Sequence, residues 1–199
     1  MEKNTGIILL AAGNSTRLGS PKQLLLYQGK TLLERIIDTS LEVFIKNKVV
    51  VVLGANHHEI ASIIKEKNIL TSINENWESG MASSIKSGLQ TLLSRFPDME
   101  RCFISVCDQP YLSGKVFLEM IKMSDTSSKE IIASEYAGTI GVPALFSKKY
   151  FEELMNLEGE QGAKKIIRQN RQDADTFIFE EGAIDIDTPL DYKNLKTKE

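Results

Sequence analysis

Residues 5–10 read TGIILL, and residues 11–22 follow them directly as AAGNSTRLGSPK. The first segment is a short apolar run of the kind that forms a buried strand. In the second, glycines let the backbone approach a ligand closely, and loop N–H groups can form a concave nest for an anion. Arg17 and Lys22 add a planar fork and a point charge that suit phosphate oxygens. We predict that this loop binds polyphosphate, in preference to being an ordinary connection between a strand and a helix.

Spacing excludes two well-known phosphate-binding loops. The residues after Gly19 are Ser-Pro-Lys, whereas a P-loop requires Gly-Lys-Ser or Gly-Lys-Thr. The chain also contains no Gly-x-Gly-x-x-Gly sequence, so the dinucleotide-binding fingerprint is absent.

The composition is that of an ordinary globular protein. The chain has 199 residues, of which 42% are hydrophobic and 26% charged, and its net charge is −3. We expect one domain, residues 1–199, and no nucleic-acid partner, because there is no overall basic field. No apolar run approaches the ~20 residues that span a bilayer, and residues 1–12 lack the basic-then-apolar pattern of a secretory signal. We therefore expect a cytoplasmic protein without a membrane partner.

The two cysteines are not expected to form a disulfide. Cys102 and Cys107 lie on one predicted strand, where a rise of about 3.3 Å per residue places them ~16 Å apart. A disulfide requires Cα atoms within about 7 Å of each other. With only two histidines in the chain, zinc-site spacing is absent as well.

Short apolar runs alternate with helical patterns along the chain, which predicts a parallel sheet covered by helices on both faces. The expected strands are residues 6–10, 48–53, 69–73, 102–106, 130–134 and 142–146. Helices are expected after the capping-box sequence Thr31-Leu-Leu-Glu34 and over residues 59–67, 81–94, 113–122, 148–157 and 162–169. The predicted fold class is α/β, with a single doubly wound, mostly parallel sheet.

Asp108 follows the fourth predicted strand. Residues 11–22, which we call the glycine loop, follow the first. Ligands of such sheets bind beyond the carboxyl ends of the strands, so both segments point to one edge. An acid beside a polyphosphate loop is well placed to hold Mg²⁺, which takes one or two carboxylates together with substrate phosphates and waters. The alternative for Asp108 is a turn or helix-cap aspartate.

Two further acids, Asp185 and Asp187, stand two residues apart near the end of the chain. We predict that they lie on a strand, where both side chains would point to the same face. Thr188 and Pro189 then predict a helix start, as its cap and its first residue. Asp187 is therefore either a functional acid or a contributor to this cap.

Small and hydroxyl-bearing residues open the helix that begins near Gly80. Such a start allows a flat base or a ribose to pack against the backbone while amides and hydroxyls read its edges. The alternative is that these small residues simply pack against neighbouring elements. Trp77, the only tryptophan, either stacks on a base or serves as a packing residue.

Six segments, taken in order, resemble the sugar-phosphate-type nucleotidyltransferases, and within them the molybdenum cofactor cytidylyltransferases. Together they span nearly the whole chain, and the resemblance implies the Rossmann-like nucleotidyltransferase fold. The segments are Leu10-Ala-Ala-Gly13 with Ser15-x-Arg17-x-Gly19 and Lys22, Asn76-Trp-Glu-Ser-Gly-Met-Ala-Ser-Ser84, Cys107-Asp-Gln-Pro110, Gly141-Val-Pro143, Gly159-Glu-Gln-Gly-Ala163 and Asp185-Ile-Asp-Thr-Pro-Leu-Asp-Tyr192.

The resemblance implies transfer of CMP from CTP to the terminal phosphate of molybdopterin, with Mg²⁺ as cofactor. The implied metal ligands are Asp108 and Asp187, with Asp185 as the alternative to Asp187. Arg17, Lys22 and Asp108 are the implied catalytic residues. The implied nucleotide-binding residues are Leu10, Ala11, Ala12, Gly13, Arg17, Lys22, Gly80, Ser83 and Ser84. A molybdoenzyme such as a xanthine dehydrogenase-type hydroxylase is the implied recipient of the product.

The sequence departs from the family pattern in the part that the resemblance assigns to the pterin substrate. Val142 stands where a polar residue is frequent, and Glu160 stands where aspartate is usual. Three alternatives therefore stay open beside the cytidylyl reaction. They are a GTP-dependent molybdopterin guanylyltransferase, a sugar- or alcohol-phosphate nucleotidyltransferase, and a non-catalytic carrier of the molybdenum cofactor.

Overall fold

A computed structural model of the protein describes residues 4–197. The secretory-signal expectation rests on residues 1–12, of which residues 1–3 lie outside the described part. The expected single domain, residues 1–199, also extends beyond the described residues at both ends, and this expectation stays a prediction. Between residues 4 and 197, none of the helices combines the length and the apolar character that a membrane span requires.

Seven strands form one mostly parallel sheet, and two very short strands form a separate hairpin. In chain order the strands are β1 Thr5–Ala11, β2 Leu26–Tyr27, β3 Lys30–Thr31, β4 Val49–Leu53, β5 Leu70–Ile73, β6 Arg101–Val106, β7 Ile131–Tyr136, β8 Thr139–Ser147 and β9 Ala174–Ile178. The order across the sheet is β5-β4-β1-β6-β8-β7-β9. Only β8 runs antiparallel to its neighbours β6 and β7. The predicted α/β class with a mostly parallel sheet is confirmed.

Helices cover both faces of the sheet because neighbouring strand residues alternate between them. The helices are α1 Leu32–Leu41, α2 His57–Ile64, α3 Met81–Arg95, α4 Gly114–Thr126, α5 Phe151–Met155, α6 Ala163–Gln169 and α7 Pro189–Lys196. On one face, strand residues such as Ile8 and Ile104 pack against α3, α5 and α6. On the other, Ile7 and Phe103 pack against α1, α2 and α4. The sheet is thus doubly wound, as predicted.

Several local predictions are confirmed. The Thr31 hydroxyl accepts from the Glu34 amide at 3.1 Å while the Glu34 carboxylate accepts from the Thr31 amide at 2.9 Å, which completes the capping box of α1. Thr188 caps α7 in the same way, with Asp191 as its partner and Pro189 as the first helical residue. Both cysteines are free and buried, and burial raises the pKa of each thiol to about 12.

One predicted strand is absent, and the edge strand β9 was not predicted, each for a physical reason. Asp185 and Asp187 do not lie on a strand, since residues 184–187 form an irregular segment after a short 3-10 turn, Glu180–Ala183. Strand β9 escaped prediction because its sequence, ADTFI, mixes polar and apolar residues at the edge of the sheet and carries no continuous apolar run. The irregular segment brings Asp187 to the site described next.

Candidate active site

The glycine loop folds back on itself at the carboxyl end of β1. Gln23, which is 1% exposed, donates from Nε2 to the carbonyl oxygens of Ala11 and Gly13 at 2.7 and 2.8 Å. The Ser15 hydroxyl accepts from the Lys22 amide at 3.0 Å. These bonds hold both ends of the loop. Sequence reasoning missed Gln23, since a glutamine in a polar loop carries no signal of burial.

A cavity of about 500 Å³ opens between this loop, the end of β6 and the start of α3. It is lined by every predicted nucleotide-binding, catalytic and metal-binding residue except Ser83. The Ser83 hydroxyl instead donates to the carbonyl oxygens of Asn76 and Gly80 and accepts from the Asn74 amide group. Ser83 therefore does not line the cavity, and its hydrogen bonds hold the turn that precedes α3.

Four charged side chains meet at the cavity floor. Lys22 Nζ lies 2.7 Å from Asp108 Oδ2 and 2.7 Å from Asp187 Oδ1, while Arg17 Nη2 lies 2.7 Å from Asp187 Oδ2. We call Arg17, Lys22, Asp108 and Asp187 the charged junction. The Ile186 amide donates to the Asp108 carbonyl oxygen at 3.0 Å, which docks the irregular segment onto the end of β6. This contact between distant segments of the chain brings Asp187 close to Asp108.

The charges of the junction stabilise one another. Burial lowers the pKa of Lys22, but the charge of Asp108 and the hydrogen bonds to Asp108 and Asp187 outweigh it, so the pKa is raised and the ammonium stays charged. For Asp187, burial raises the pKa of the carboxyl group. The hydrogen bond and charge of Lys22, together with Arg17, outweigh burial and lower this pKa below its ordinary value. Both groups are therefore ionised at neutral pH.

The structure separates the two late acids. Asp187 joins the charged junction, and its carboxylate takes no part in the cap of α7, which Thr188 and Asp191 provide. Asp185 instead lines a neighbouring cavity, and burial together with the charges of Asp108 and Asp187 raises its pKa. This geometry favours Asp187 over Asp185 as the partner of Asp108.

The charged junction supplies two of the oxygen ligands that a hard divalent cation requires. Asp108 and Asp187 are close enough to share one ammonium group, so a single ion could contact both carboxylates. Within the part of the chain that the structure describes, no group of three or more acidic, histidine or cysteine side chains converges on a metal position. The donor set therefore suits Mg²⁺, which keeps waters and takes phosphate oxygens in addition to one or two carboxylates.

Trp77 forms one wall of the cavity and is half-buried. Its approach depends on Gly54, because a Cβ atom at Gly54 would lie 2.6 Å from Trp77 Cβ and 2.7 Å from the Ala12 carbonyl oxygen. Trp77 is thus a packing residue that also borders the cavity, while stacking on a base stays a prediction. Sequence reasoning missed Gly54, whose neighbours are distant in the chain.

A turn late in the chain leans against the start of α3. The Ala82 amide donates to the Gly159 carbonyl oxygen at 3.1 Å, and a Cβ atom at Gly80 would lie 2.3 Å from that same oxygen. Gly80 also has a φ of +102°, a conformation that side-chain-bearing residues rarely adopt. Only glycine therefore allows this contact.

A second cavity, of about 370 Å³, lies beside the first. The boundary between the two cavities is formed by the residues that line both, which are Leu10, Met81, Val106, Asp108 and Glu160. Gln109 donates from Nε2 to the carbonyl oxygens of Val142 and Gly182, each at 3.0 Å. These bonds hold together the walls of the second cavity, to which both sequence segments that depart from the family pattern belong.

Comparison with known proteins places the chain among nucleotide-handling proteins. The family profile described as "MobA-like NTP transferase domain" matches residues 7–174. The chain is also similar to a crystal structure of Rv0371c from Mycobacterium tuberculosis H37Rv in complex with manganese, with a TM-score of 0.78 and 25% identity. That match covers 98% of each chain.

Three relatives carry different names. The chain is 37% identical over 107 residues to nicotine blue oxidoreductase of Paenarthrobacter nicotinovorans, and 31% identical over 130 residues to a probable molybdenum cofactor guanylyltransferase of Bacillus cytotoxicus. These matches cover 53% and 65% of this chain but only 50% and 62% of the two relatives' own lengths. The molybdenum cofactor cytidylyltransferase of Escherichia coli is 23% identical, over 96% of this chain and 95% of that protein.

Proposed function

The chain belongs to the MobA-like NTP transferase domain family, and from that premise we propose that it transfers CMP from CTP to the terminal phosphate of molybdopterin. The observation that carries the proposal is the contact of the Lys22 ammonium with both Asp108 and Asp187, at 2.7 Å each, on the floor of the cavity that the glycine loop borders. Cations and carboxylates meeting beside a phosphate-binding loop suit transfer of a nucleotidyl group.

In the proposed reaction, an oxygen of the acceptor phosphate attacks the α-phosphorus of CTP in line with the leaving group. A new phosphorus–oxygen bond forms, the bond between the α-phosphorus and the bridging oxygen breaks, and pyrophosphate leaves. Such a reaction depends on positioning and on charge neutralisation more than on covalent catalysis. No nucleophilic side chain is needed.

The residues of the site supply both requirements. Amides around Gly13 would bind the triphosphate, and Arg17, whose side chain is 71% exposed, is free to leave Asp187 and bind the β- and γ-phosphates. Lys22 would neutralise the charge that grows on the bridging oxygen. Asp108 and Asp187 would hold Mg²⁺, which supplies further charge neutralisation when bound.

The choice of CTP over GTP rests on sequence similarity. The small residues at the start of α3 resemble the cytidylyl branch, and the match to the Escherichia coli cytidylyltransferase extends over nearly the whole chain. The partial match to a guanylyltransferase is the reason to keep GTP as the alternative. Residues 10–12 border the cavity where a base would be read, as do Gly80, Met81 and Ser84. The proposal extends to a cytoplasmic site of action and to a recipient molybdoenzyme of the xanthine dehydrogenase type.

The test is pyrophosphate release from CTP, GTP, ATP or UTP in the presence of Mg²⁺ and molybdenum-loaded molybdopterin. We expect release with CTP. Release with GTP alone would show that GTP, and not CTP, is the nucleotide donor. Release only with sugar or alcohol phosphates would show that molybdopterin is not the acceptor. Nucleotide binding without release in any combination, with no effect of Asp108→Ala, would favour the carrier.

One relative requires a parallel assay. Because nicotine blue oxidoreductase is 37% identical over about half of this chain, the same preparation should be tested for oxidation and reduction of nicotine blue with a panel of electron donors and acceptors. We expect none, since the charged junction serves phosphate chemistry. Redox turnover without pyrophosphate release would overturn the proposal.

A further inference from the structure

The second cavity poses an electrostatic problem for the proposed acceptor. Three carboxylates line it, those of Asp108, Asp185 and Glu160. A phosphate monoester carries a charge of about −1.5 to −2 at neutral pH. Asp108 is paired with Lys22, so the repulsion would come from Asp185 and Glu160. A bound acceptor therefore needs a cation on the same wall.

Lys164 is the cationic residue that lines this cavity. The other nearby cations, Arg17 and Lys22, are already paired with Asp187 and Asp108. Among residues 4–197, by contrast, no carboxylate lies within ion-pair distance of the Lys164 ammonium group. Glu160 stands four residues earlier, in the turn that precedes α6, and yet the two side chains do not pair. Lys164 thus presents an uncompensated positive charge to the cavity.

The side chain of Lys164 is directed by a glycine. A Cβ atom at Gly141 would lie 2.9 Å from Lys164 Cε and 2.2 Å from the Tyr136 hydroxyl oxygen. The lysine stem and the phenol hydroxyl therefore lie side by side above the Gly141 backbone, in space that any larger residue would fill. This arrangement places two hydrogen-bond donors at one position on the cavity wall.

Tyr136 remains a donor at neutral pH. Burial raises the pKa of its phenol, and the charges of Asp108 and Asp185 raise it further, which outweighs the opposing effect of hydrogen bonds with Gln109 and the Val142 backbone. The hydroxyl therefore keeps its proton, and it can donate to an anion beside the Lys164 ammonium group.

We propose that Lys164 and Tyr136 bind the phosphate group of the acceptor in the second cavity and so make the site selective for phosphate monoesters over neutral alcohols. This inference rests on the proposed function, because it takes the second cavity as the acceptor site. Lys164 acts on acceptor binding, whereas the charged junction acts on the nucleotide.

The test compares a phosphorylated ligand with its dephosphorylated form. The probes are molybdopterin and the same pterin after phosphatase treatment, with affinity measured by pterin fluorescence in the absence of nucleotide. We expect the wild-type protein to bind the phosphorylated form at least about ten-fold more tightly, the usual effect of a charge-assisted contact. Lys164→Gln should reduce this ratio to about two-fold or less, with unchanged affinity for the dephosphorylated form.

Two control variants sharpen the comparison. Arg168 is exposed one turn further along α6 and does not line the cavity, so Arg168→Gln removes the same charge and should keep the wild-type ratio. Lys164→Arg should retain most of the selectivity. A wild-type ratio in Lys164→Gln, or an equal loss of affinity for both forms, would overturn the inference.

The outcomes separate this inference from the proposed function. Suppose that Lys164→Gln lowers the ratio of affinities for the phosphorylated and dephosphorylated ligands, but that the wild-type protein releases no pyrophosphate. This result would support the contact between Lys164 and the phosphate group and would contradict the proposed transfer reaction. If wild-type protein binds neither pterin, the comparison is repeated with glucose 1-phosphate against glucose and glycerol 3-phosphate against glycerol. No phosphate-dependent affinity for any pair would overturn the inference.

Discussion

Lys22 and Asp108 are 86 positions apart in the sequence, and their side chains form an ion pair of 2.7 Å. The contact joins the glycine loop after β1 to the end of β6, the neighbouring strand of the sheet. Because Lys22 also contacts Asp187, the charges neutralise one another in the absence of substrate. We expect triphosphate binding to exchange these partners, with the cations turning to phosphate oxygens and the carboxylates to the divalent ion.

Replacement of Lys22 tests the role of this ammonium group in turnover. Lys22→Ala should lower kcat by roughly 10²-fold or more, because an oriented charge that acts on the leaving group stabilises the transition state more than the ground state. The KM for the nucleotide should change much less. Lys115→Ala, at an exposed position on α4, is the control. A kcat equal to that of wild type, in a folded variant, would show that Lys22 does not act in the reaction.

Replacement of the two late acids tests which one serves the metal. Asp187→Asn should weaken Mn²⁺ binding, followed by electron paramagnetic resonance, by roughly ten-fold or more and should lower turnover, because Asp187 shares the junction with Asp108. Asp185→Asn should leave Mn²⁺ affinity within about two-fold of wild type. Chelation with EDTA should abolish pyrophosphate release, and added Mg²⁺ should restore it. A larger effect of Asp185→Asn would reverse the assignment.

Substitutions at two glycines distinguish an effect on core packing from an effect on nucleotide binding. Gly54→Ala should lower the free energy of unfolding by about 1–3 kcal/mol, because its Cβ atom would clash with Trp77 and with the Ala12 carbonyl oxygen. Gly13→Ala meets open space and should leave stability unchanged while weakening nucleotide binding. Urea denaturation and CTP titration measure the two effects. Equal stability of the two variants would contradict the account of the Trp77 wall.

Asp38 should make stability depend on pH. Burial raises the pKa of Asp38, but hydrogen bonds from Lys30 and Lys67 outweigh burial and lower it below the ordinary value. A group whose pKa is lower in the folded state stabilises the fold above its unfolded pKa of about 3.9, and this contribution is lost as the pH falls through the folded value.

Asp38→Asn should therefore lower the free energy of unfolding by up to about 1 kcal/mol at pH 7, since the site is partly exposed. The difference from wild type should shrink as the pH falls below about 4. Urea denaturation at both pH values checks this. A difference that is constant with pH would show that the carboxylate charge is not the cause.

Patterns local in the chain predicted most of the sheet. Strands β1, β4 and β6 are largely apolar because both of their faces are covered by helices, and such burial shows directly in composition. Strand β9 lies at the sheet edge with half-buried residues, so its sequence resembled a loop. The irregular segment around Asp185 resembled a strand because alternation of polar and apolar residues is shared by strands and by extended loops.

The charged junction was partly predictable for the same reason. Arg17, Lys22 and Asp108 follow two strands whose carboxyl ends meet at one edge of a parallel sheet, so their proximity follows from local patterns and fold class. The position of Asp187, the support from Gln23 and the closeness of Trp77 to Gly54 depended instead on contacts between distant segments. Local sequence sets the direction of a strand or the start of a helix, whereas such contacts arise only when the packed core brings their partners together.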